Sequence, residues 1–140
     1  MNIHFVKTHS DAVTPSTAYR GDAGFDLASV ESCMIPPGGI STVSTGIAMA
    51  MPDNLWCHIL PRSSTLRRYN LLVVPAVIDS GYRGELYLQV ANLGVAPIIV
   101  SKGVRLAQCV FHEIPNISWS EVRELPGSDR GTKGFGSSGE

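Results

Sequence analysis

Three stretches of this chain carry residue types that could do chemistry. In Ala76-Val77-Ile78-Asp79-Ser80-Gly81-Tyr82-Arg83-Gly84-Glu85, a carboxylate and an aromatic ring stand three residues apart on what Ser80 and Gly81 make a tight turn. Asp79 follows the apolar run Val73 to Ile78, which is broken only by Pro75 and Ala76. That run predicts a hairpin arm with Asp79 where the chain turns back, fixed and partly buried. A carboxylate so held can orient or deprotonate a water. The same pattern also suits an aspartate that caps its own turn through an Asx hydrogen bond. Gly84 would let a backbone or a ligand approach closely. The second stretch, Arg62-Ser63-Ser64, stands before Thr65-Leu66-Arg67-Arg68-Tyr69, the one convincing helix start. Backbone N–H groups, hydroxyls and a guanidinium there make an anion site, and equally a plain N-cap beside a surface arginine. The third is the terminus, where Arg130, Lys133, Phe135, Gly136, Ser137 and Ser138 lie among glycines. Lys133 is followed by Gly134 and no strand precedes it, so a Walker pattern fails. A segment wrapping an anionic ligand with a flat ring would want this mixture, with Arg130 on phosphates and Phe135 on the ring.

Short β-type segments must position these groups. Fourteen glycines and nine prolines punctuate the chain, and almost nothing keeps a 3.6-residue period over ten positions, which marks an all-β protein. Strands are expected at 3–6, 40–51, 55–60, 85–92, 97–100 and 104–111. Val43, Thr45, Ile47 and Met49 should share one face of the second of these, and Leu86, Leu88 and Val90 should point inward from the fourth. Leu55 to Leu60 is apolar on both sides, which suits burial on both faces. The pattern fits a jelly-roll sandwich or distorted β-barrel with one short helix. Residues 1–125 would form this domain, and 126–140, rich in Gly, Ser and charge, a flexible tail.

Composition excludes several functions. A chain of 140 residues is one domain of ordinary size, and it buries roughly 65–70% of its unfolded surface on folding. A net charge of −1 gives no field to attract a polyanion, so direct nucleic-acid binding is not expected. No apolar run approaches the ~20 residues of a membrane span, and the amino terminus does not read as a signal peptide. Cys33, Cys57 and Cys109 lack CxxC spacing and fit reduced thiols in a cytoplasm. The four histidines show no His-x-His or His-Glu-x-x-His spacing, so a zinc caged by the protein is not expected.

Five segments, in order, resemble the signature motifs of the homotrimeric dUTP pyrophosphatases, the dUTPases. Ala23-Gly24-Phe25-Asp26-Leu27 is similar to Ala-Gly-Tyr-Asp-Leu, and Arg62-Ser63-Ser64 to Pro-Arg-Ser-Gly or Gly-Arg-Ser-Ser. Ala76 to Gly84 resembles Gly-Val-Ile-Asp-x-x-Tyr-x-Gly, and Arg105-Leu106-Ala107-Gln108-Cys109 resembles Arg-Ile-Ala-Gln-Leu. Arg130 to Gly139 matches Arg-Gly-x-x-Gly-Phe-Gly-Ser-[Ser/Thr]-Gly. Phe25 loses a hydroxyl, Ala76 replaces a preferred glycine, and Ser64 and Cys109 are milder variations; no charged group is lost.

The resemblance implies hydrolysis of dUTP to dUMP and pyrophosphate. Asp79 would activate a water for attack on the α-phosphorus, and Asp26 would reach a bound Mg²⁺ through its waters. Arg62, Ser63, Ser64, Gln108 and Arg130 would contact the phosphates. Backbone groups from Val73 to Ala76 would read uracil, Tyr82 would pack under the deoxyribose, and Phe135, Gly136, Ser137 and Ser138 would close over the nucleotide. In the family a site takes the hairpin from one subunit of a homotrimer, the serines from a second and the tail from a third. The related dCTP deaminases share an Arg-Ser-Ser motif but carry a proton-shuttling glutamate ten residues after the aspartate, where this chain has Gln89. A nucleotide-gated binding protein is a reading from another class, distinguished by the absence of turnover.

Overall fold

The computed structural model describes residues 2–134. Among them the chain forms strands β1 (His4–Lys7), β2 (Gly24–Ala28), β3 (Cys33–Ile35), β4 (Ile40–Ala50) and β5 (Leu55–Pro61), then a helix α1 (Ser63–Tyr69). β6 (Leu71–Val73), β7 (Ala76–Ile78), β8 (Glu85–Asn92), β9 (Ile98–Val100) and β10 (Arg105–Glu113) follow. Two four-stranded antiparallel sheets, ordered β1-β4-β8-β6 and β2-β10-β5-β7, enclose the core, and β3 pairs with β9 beside them. This is the all-β, jelly-roll-like architecture expected, with one short helix.

Alternation produces the first sheet. Leu86, Leu88 and Val90 of β8 are at most 1% exposed, while Tyr87 and Gln89 face out. Opposite them, Val43, Thr45, Ile47 and Met49 of β4 are all buried, as the pattern predicted. The second sheet contributes Leu27, Cys57, Ile59, Leu106 and Cys109 to the same core. Burying each such Leu or Ile stabilises the sandwich by roughly 1.5–3 kcal/mol. Buried polar groups are matched: the Thr65 hydroxyl donates to the Leu106 carbonyl (2.7 Å), which ties α1 to β10.

Three expectations are corrected. Val73–Ile78 is not one hairpin arm. β6 pairs with β8 in the first sheet, whereas β7 pairs with β5 in the second. The Val74 N–H donates to the Gln89 carbonyl (2.8 Å) and Pro75 has no N–H to continue that ladder, so the chain crosses between sheets there. Asp79, expected to be partly buried, is exposed, because none of the described residues packs over the turn beyond β7. In β5, Leu55, Cys57 and Ile59 are buried, but Trp56, His58 and Leu60 are only half-buried, since among the described residues no second layer covers the outer face of this sheet. Trp56 instead stacks on His112 with ring centroids 4.6 Å apart. Regular pairing ends at Glu113, and Ile117, Trp119 and Leu125 beyond it are exposed. No helix among the described residues is long and apolar enough to cross a membrane.

Candidate active site

One cleft gathers residues from three separate segments. Asp26 of β2, Arg62 and Ser63 at the start of α1, and Gln108 of β10 line a cavity of about 340 Å³ together with Gly24, Asp22 and Val110. Strand register explains the convergence: Gln108 pairs with Asp26 on one side and with Leu60 on the other, and directly paired residues share a face. Arg62 follows two residues after Leu60, its N–H donating to the Leu106 carbonyl at 3.3 Å. The Asp26 side chain is only 11% exposed and lies between two cations, with Arg62 Nε at 2.7 Å and Arg105 at 3.4 Å. Two guanidinium groups hold this one carboxylate, and with the Asp22 carboxylate also lining the cleft the four charges balance. Gly24 leaves room for Gln108, because a Cβ there would stand 2.0 Å from the Gln108 Oε1. Arg62 is the N-cap of α1 but makes no side-chain cap bond, so its guanidinium stays with Asp26. Ser63 is exposed and Ser64 half-buried.

The acid-bearing turn is a second, separate unit. The Tyr82 N–H donates to the Asp79 carbonyl (3.1 Å), and the Tyr82 hydroxyl donates to the Glu85 carbonyl (3.0 Å). This folds the ring back over Gly84, where a Cβ would lie 2.4 Å from the hydroxyl oxygen. The close approach that Gly84 permits is therefore made by Tyr82. Val73 turns its side chain into the core and Ala76 is half-buried, so any ligand contact at Val73 must use the backbone.

Within one chain the two units are far apart. Ile78 pairs with Cys57, so Asp79 lies level with Trp56, while Arg62 follows the far end of β5 six residues on, roughly 20 Å away at ~3.3 Å per residue. The structure thus brings Asp26, Arg62, Ser63 and Gln108 together but places Asp79, Tyr82, Val73 and Ala76 elsewhere. Arg130 is exposed, its Nε donating to the Lys133 carbonyl (3.1 Å), and it does not line the cleft. Phe135, Gly136, Ser137 and Ser138 lie outside the described residues. The thiols take no part: a hydrogen bond to Cys57, then burial, push the Cys109 thiol up, and burial does the same to Cys33. Arg105, whose grip on Asp26 was not foreseen, could have been suspected only from its place three residues before Gln108 in the same motif.

A sequence model of the dUTPase family matches residues 10–139. The chain belongs to the dUTPase family. Over 140 residues it is 39% identical to the deoxyuridine 5'-triphosphate nucleotidohydrolase of Clostridioides difficile, covering 99% of this chain and 98% of that one. It is 43% identical over 129 residues to the enzyme of the same name from Tropheryma whipplei strain Twist, covering 90% and 88%. Among solved structures, a variant of the Staphylococcus bacteriophage 80alpha dUTPase with dUpNHpp superposes with a TM-score of 0.94 at 24% identity over 99% of both chains. A phage phi11 dUTPase variant, in which coordination of a structural Mg(II) ion is described, has a TM-score of 0.85 at 20% identity over 91% of this chain and all of that one. Those two likenesses establish the dUTPase fold.

The residues of this dUTPase suit a magnesium ion brought by the substrate better than one caged by protein. Among the described residues no group of three or more His, Cys, Asp or Glu converges. Asp26, a nearly buried carboxylate lining the cleft, fits an ion that keeps its waters and takes further oxygens from phosphates.

Proposed function

We infer that this chain is a dUTP diphosphatase, converting dUTP and water into dUMP and pyrophosphate, thereby keeping uracil out of DNA and supplying dUMP for thymidylate synthesis. The observation that carries the reading is the single cleft in which Asp26, Arg62, Ser63 and Gln108 meet, drawn from three motifs of a family matched along almost the whole chain. Arg62, Ser63, Ser64 and Gln108 bind the triphosphate, and charge-assisted hydrogen bonds from Arg62 strengthen as negative charge builds on the leaving pyrophosphate. Asp79 holds a water and accepts its proton as the oxygen attacks the α-phosphorus in line, while the bond to the bridging oxygen on the β side breaks. A bound Mg²⁺ would neutralise phosphate charge, with Asp26 holding its coordinated waters. Backbone groups of Val73 and Ala76 read the uracil edge, and Tyr82 packs under the deoxyribose, leaving no space for a 2′-hydroxyl.

The roughly 20 Å between Asp79 and Arg62 supports assembly of each site from different subunits of a homotrimer. Residues 1–125 act as the nucleotide-binding domain and 126–140 as a closing segment, with Arg130 on the phosphates and Phe135, Gly136, Ser137 and Ser138 over the nucleotide. The setting is the cytoplasm, or a host cell's cytoplasm for a viral chain. Steady-state hydrolysis of dUTP, dTTP, dCTP and UTP by the wild type and Asp79→Asn tests the reading. Selective turnover of dUTP, lost in Asp79→Asn, is expected; rapid deamination of dCTP, or binding without turnover, would overturn it.

A further inference from the structure

We propose that Glu85 is a positioning residue of this site: its carboxylate, locked into a bulge of β4, fixes the loop that carries Tyr82 and Asp79. The inference rests on the reading of the chain as a dUTP diphosphatase.

On β4 the register runs from Ser44 opposite Tyr87 to Ala48 opposite Glu85, four residues against two, so residues 45–47 bulge out of the ladder. Gly46 sits at φ +65° in that bulge, pressed so closely on Val30, Ala12 and His9 that a Cβ would approach them to 3.0 Å or less. Bulging strips backbone donors of their strand partners, and the Glu85 carboxylate supplies acceptors in their place. Its Oε1 accepts from the Gly46 N–H (3.1 Å) and from the Ser44 hydroxyl, and its Oε2 accepts from the Thr8 hydroxyl (2.6 Å). The Thr8 N–H in turn donates to the Gly46 carbonyl (2.8 Å), which closes β1, β4 and β8 around one carboxylate. Partial burial pushes this carboxyl up, but the bonds from Ser44, Thr8, Gly46 and Thr45 outweigh it, so its proton affinity ends below the ordinary value.

The main chain of the same residue faces the other way. The Glu85 carbonyl accepts the Tyr82 hydroxyl (3.0 Å), and the Tyr82 N–H reaches the Asp79 carbonyl (3.1 Å). Among the described residues Arg83 makes its hydrogen bonds within the loop, to the carbonyls of Ser80 (2.6 Å) and Tyr82 (2.9 Å). Glu85 is therefore where the second half of this loop, which carries Tyr82, meets the framework, as Ile78 anchors the first half on β5. A carboxylate that merely filled the bulge would leave the ring of Tyr82, and with it the sugar contact, indifferent to its loss.

The ratio of kcat/KM for dUTP to that for UTP separates the two roles, because it does not depend on how much of the protein is folded. In Glu85→Ala, kcat for dUTP should fall about tenfold and the dUTP-to-UTP ratio should narrow several-fold, as a loosened Tyr82 admits the 2′-hydroxyl. Glu85→Gln keeps one acceptor for Gly46 and Ser44 and should recover most of both. If Glu85→Ala does not fold, Thr8→Val combined with Ser44→Ala removes two of the donors and should narrow the ratio in the same direction. An unchanged ratio in the variant that folds would overturn the proposal. A wild type that does not prefer dUTP, or an Asp79→Asn protein as fast as the wild type, would instead overturn the functional reading beneath it.

Discussion

Two inactive variants of this protein should restore each other's activity. A general base works within hydrogen-bond reach of its water, about 3 Å, whereas Asp79 and Arg62 of one chain stand roughly 20 Å apart along β5. A single chain therefore cannot serve one triphosphate with both. Asp79→Asn keeps Arg62, Arg62→Ala keeps Asp79, and either variant alone, assembled as the proposed homotrimer, lacks one of them at every site. In trimers assembled at random from equal amounts, a site pairing one subunit's turn with another subunit's cleft is intact when the first carries the native acid and the second the native guanidinium. Each condition holds for half the subunits, so about a quarter of the sites, and about a quarter of wild-type activity, should return. The assay is dUTP hydrolysis after co-refolding the two variants with different affinity tags, with mixed trimers verified by sequential purification. Activity no greater than the average of the parents, in trimers shown to be mixed, would refute a site built between subunits.

Gly24→Ala should raise KM for dUTP several-fold, since its Cβ would stand 2.0 Å from the Gln108 Oε1 and force that side chain off the Pro61 carbonyl. Its melting should change little, because the flexible amide can swing away, and an unchanged KM would show that Gln108 is not held for substrate. Deleting Arg130–Glu140 should leave the trimer folded but sharply reduce turnover, as judged by size-exclusion chromatography and steady-state kinetics. Glu85 also predicts a pH dependence of stability. Its folded carboxyl lies below its ordinary value of 4.5, so its contribution is present above that value and is lost as pH falls through the lower, folded one. Urea denaturation from pH 7 to 3 should therefore show the stability gap between wild type and Glu85→Gln closing below about pH 4.5.

Local pattern made much of this structure legible. β8 alternates because one of its faces is core, and the helix starts after Arg62 because Pro61 ends β5. What was hidden depends on partners distant in the chain. Val73–Ile78 reads as one apolar run, yet β6 answers to β8 and β7 to β5, and only the missing N–H of Pro75 marks the crossing. The grip of Arg62 and Arg105 on Asp26 joins positions far apart in sequence, and no spacing rule announces it. Asp79 looked partly buried because its apolar neighbours on β7 suggested cover, but the turn projects beyond the sheet. In sequence Glu85 is simply a charged residue opening a strand; a bulge on another strand gives it its partners. The resemblance named candidate groups; the strand register places Asp79 and Arg62 of one chain at opposite ends of β5.

A crystal structure of the protein with a non-hydrolysable dUTP analogue and magnesium tests the central claim most directly. The account predicts a water held by the Asp79 carboxylate about 3 Å from the α-phosphorus and in line with the bridging oxygen, with Arg62 of a different subunit on the phosphates. Asp79 turned away from the α-phosphorus with no water between them, or Arg62 and Asp79 of one and the same chain on one nucleotide, would contradict it.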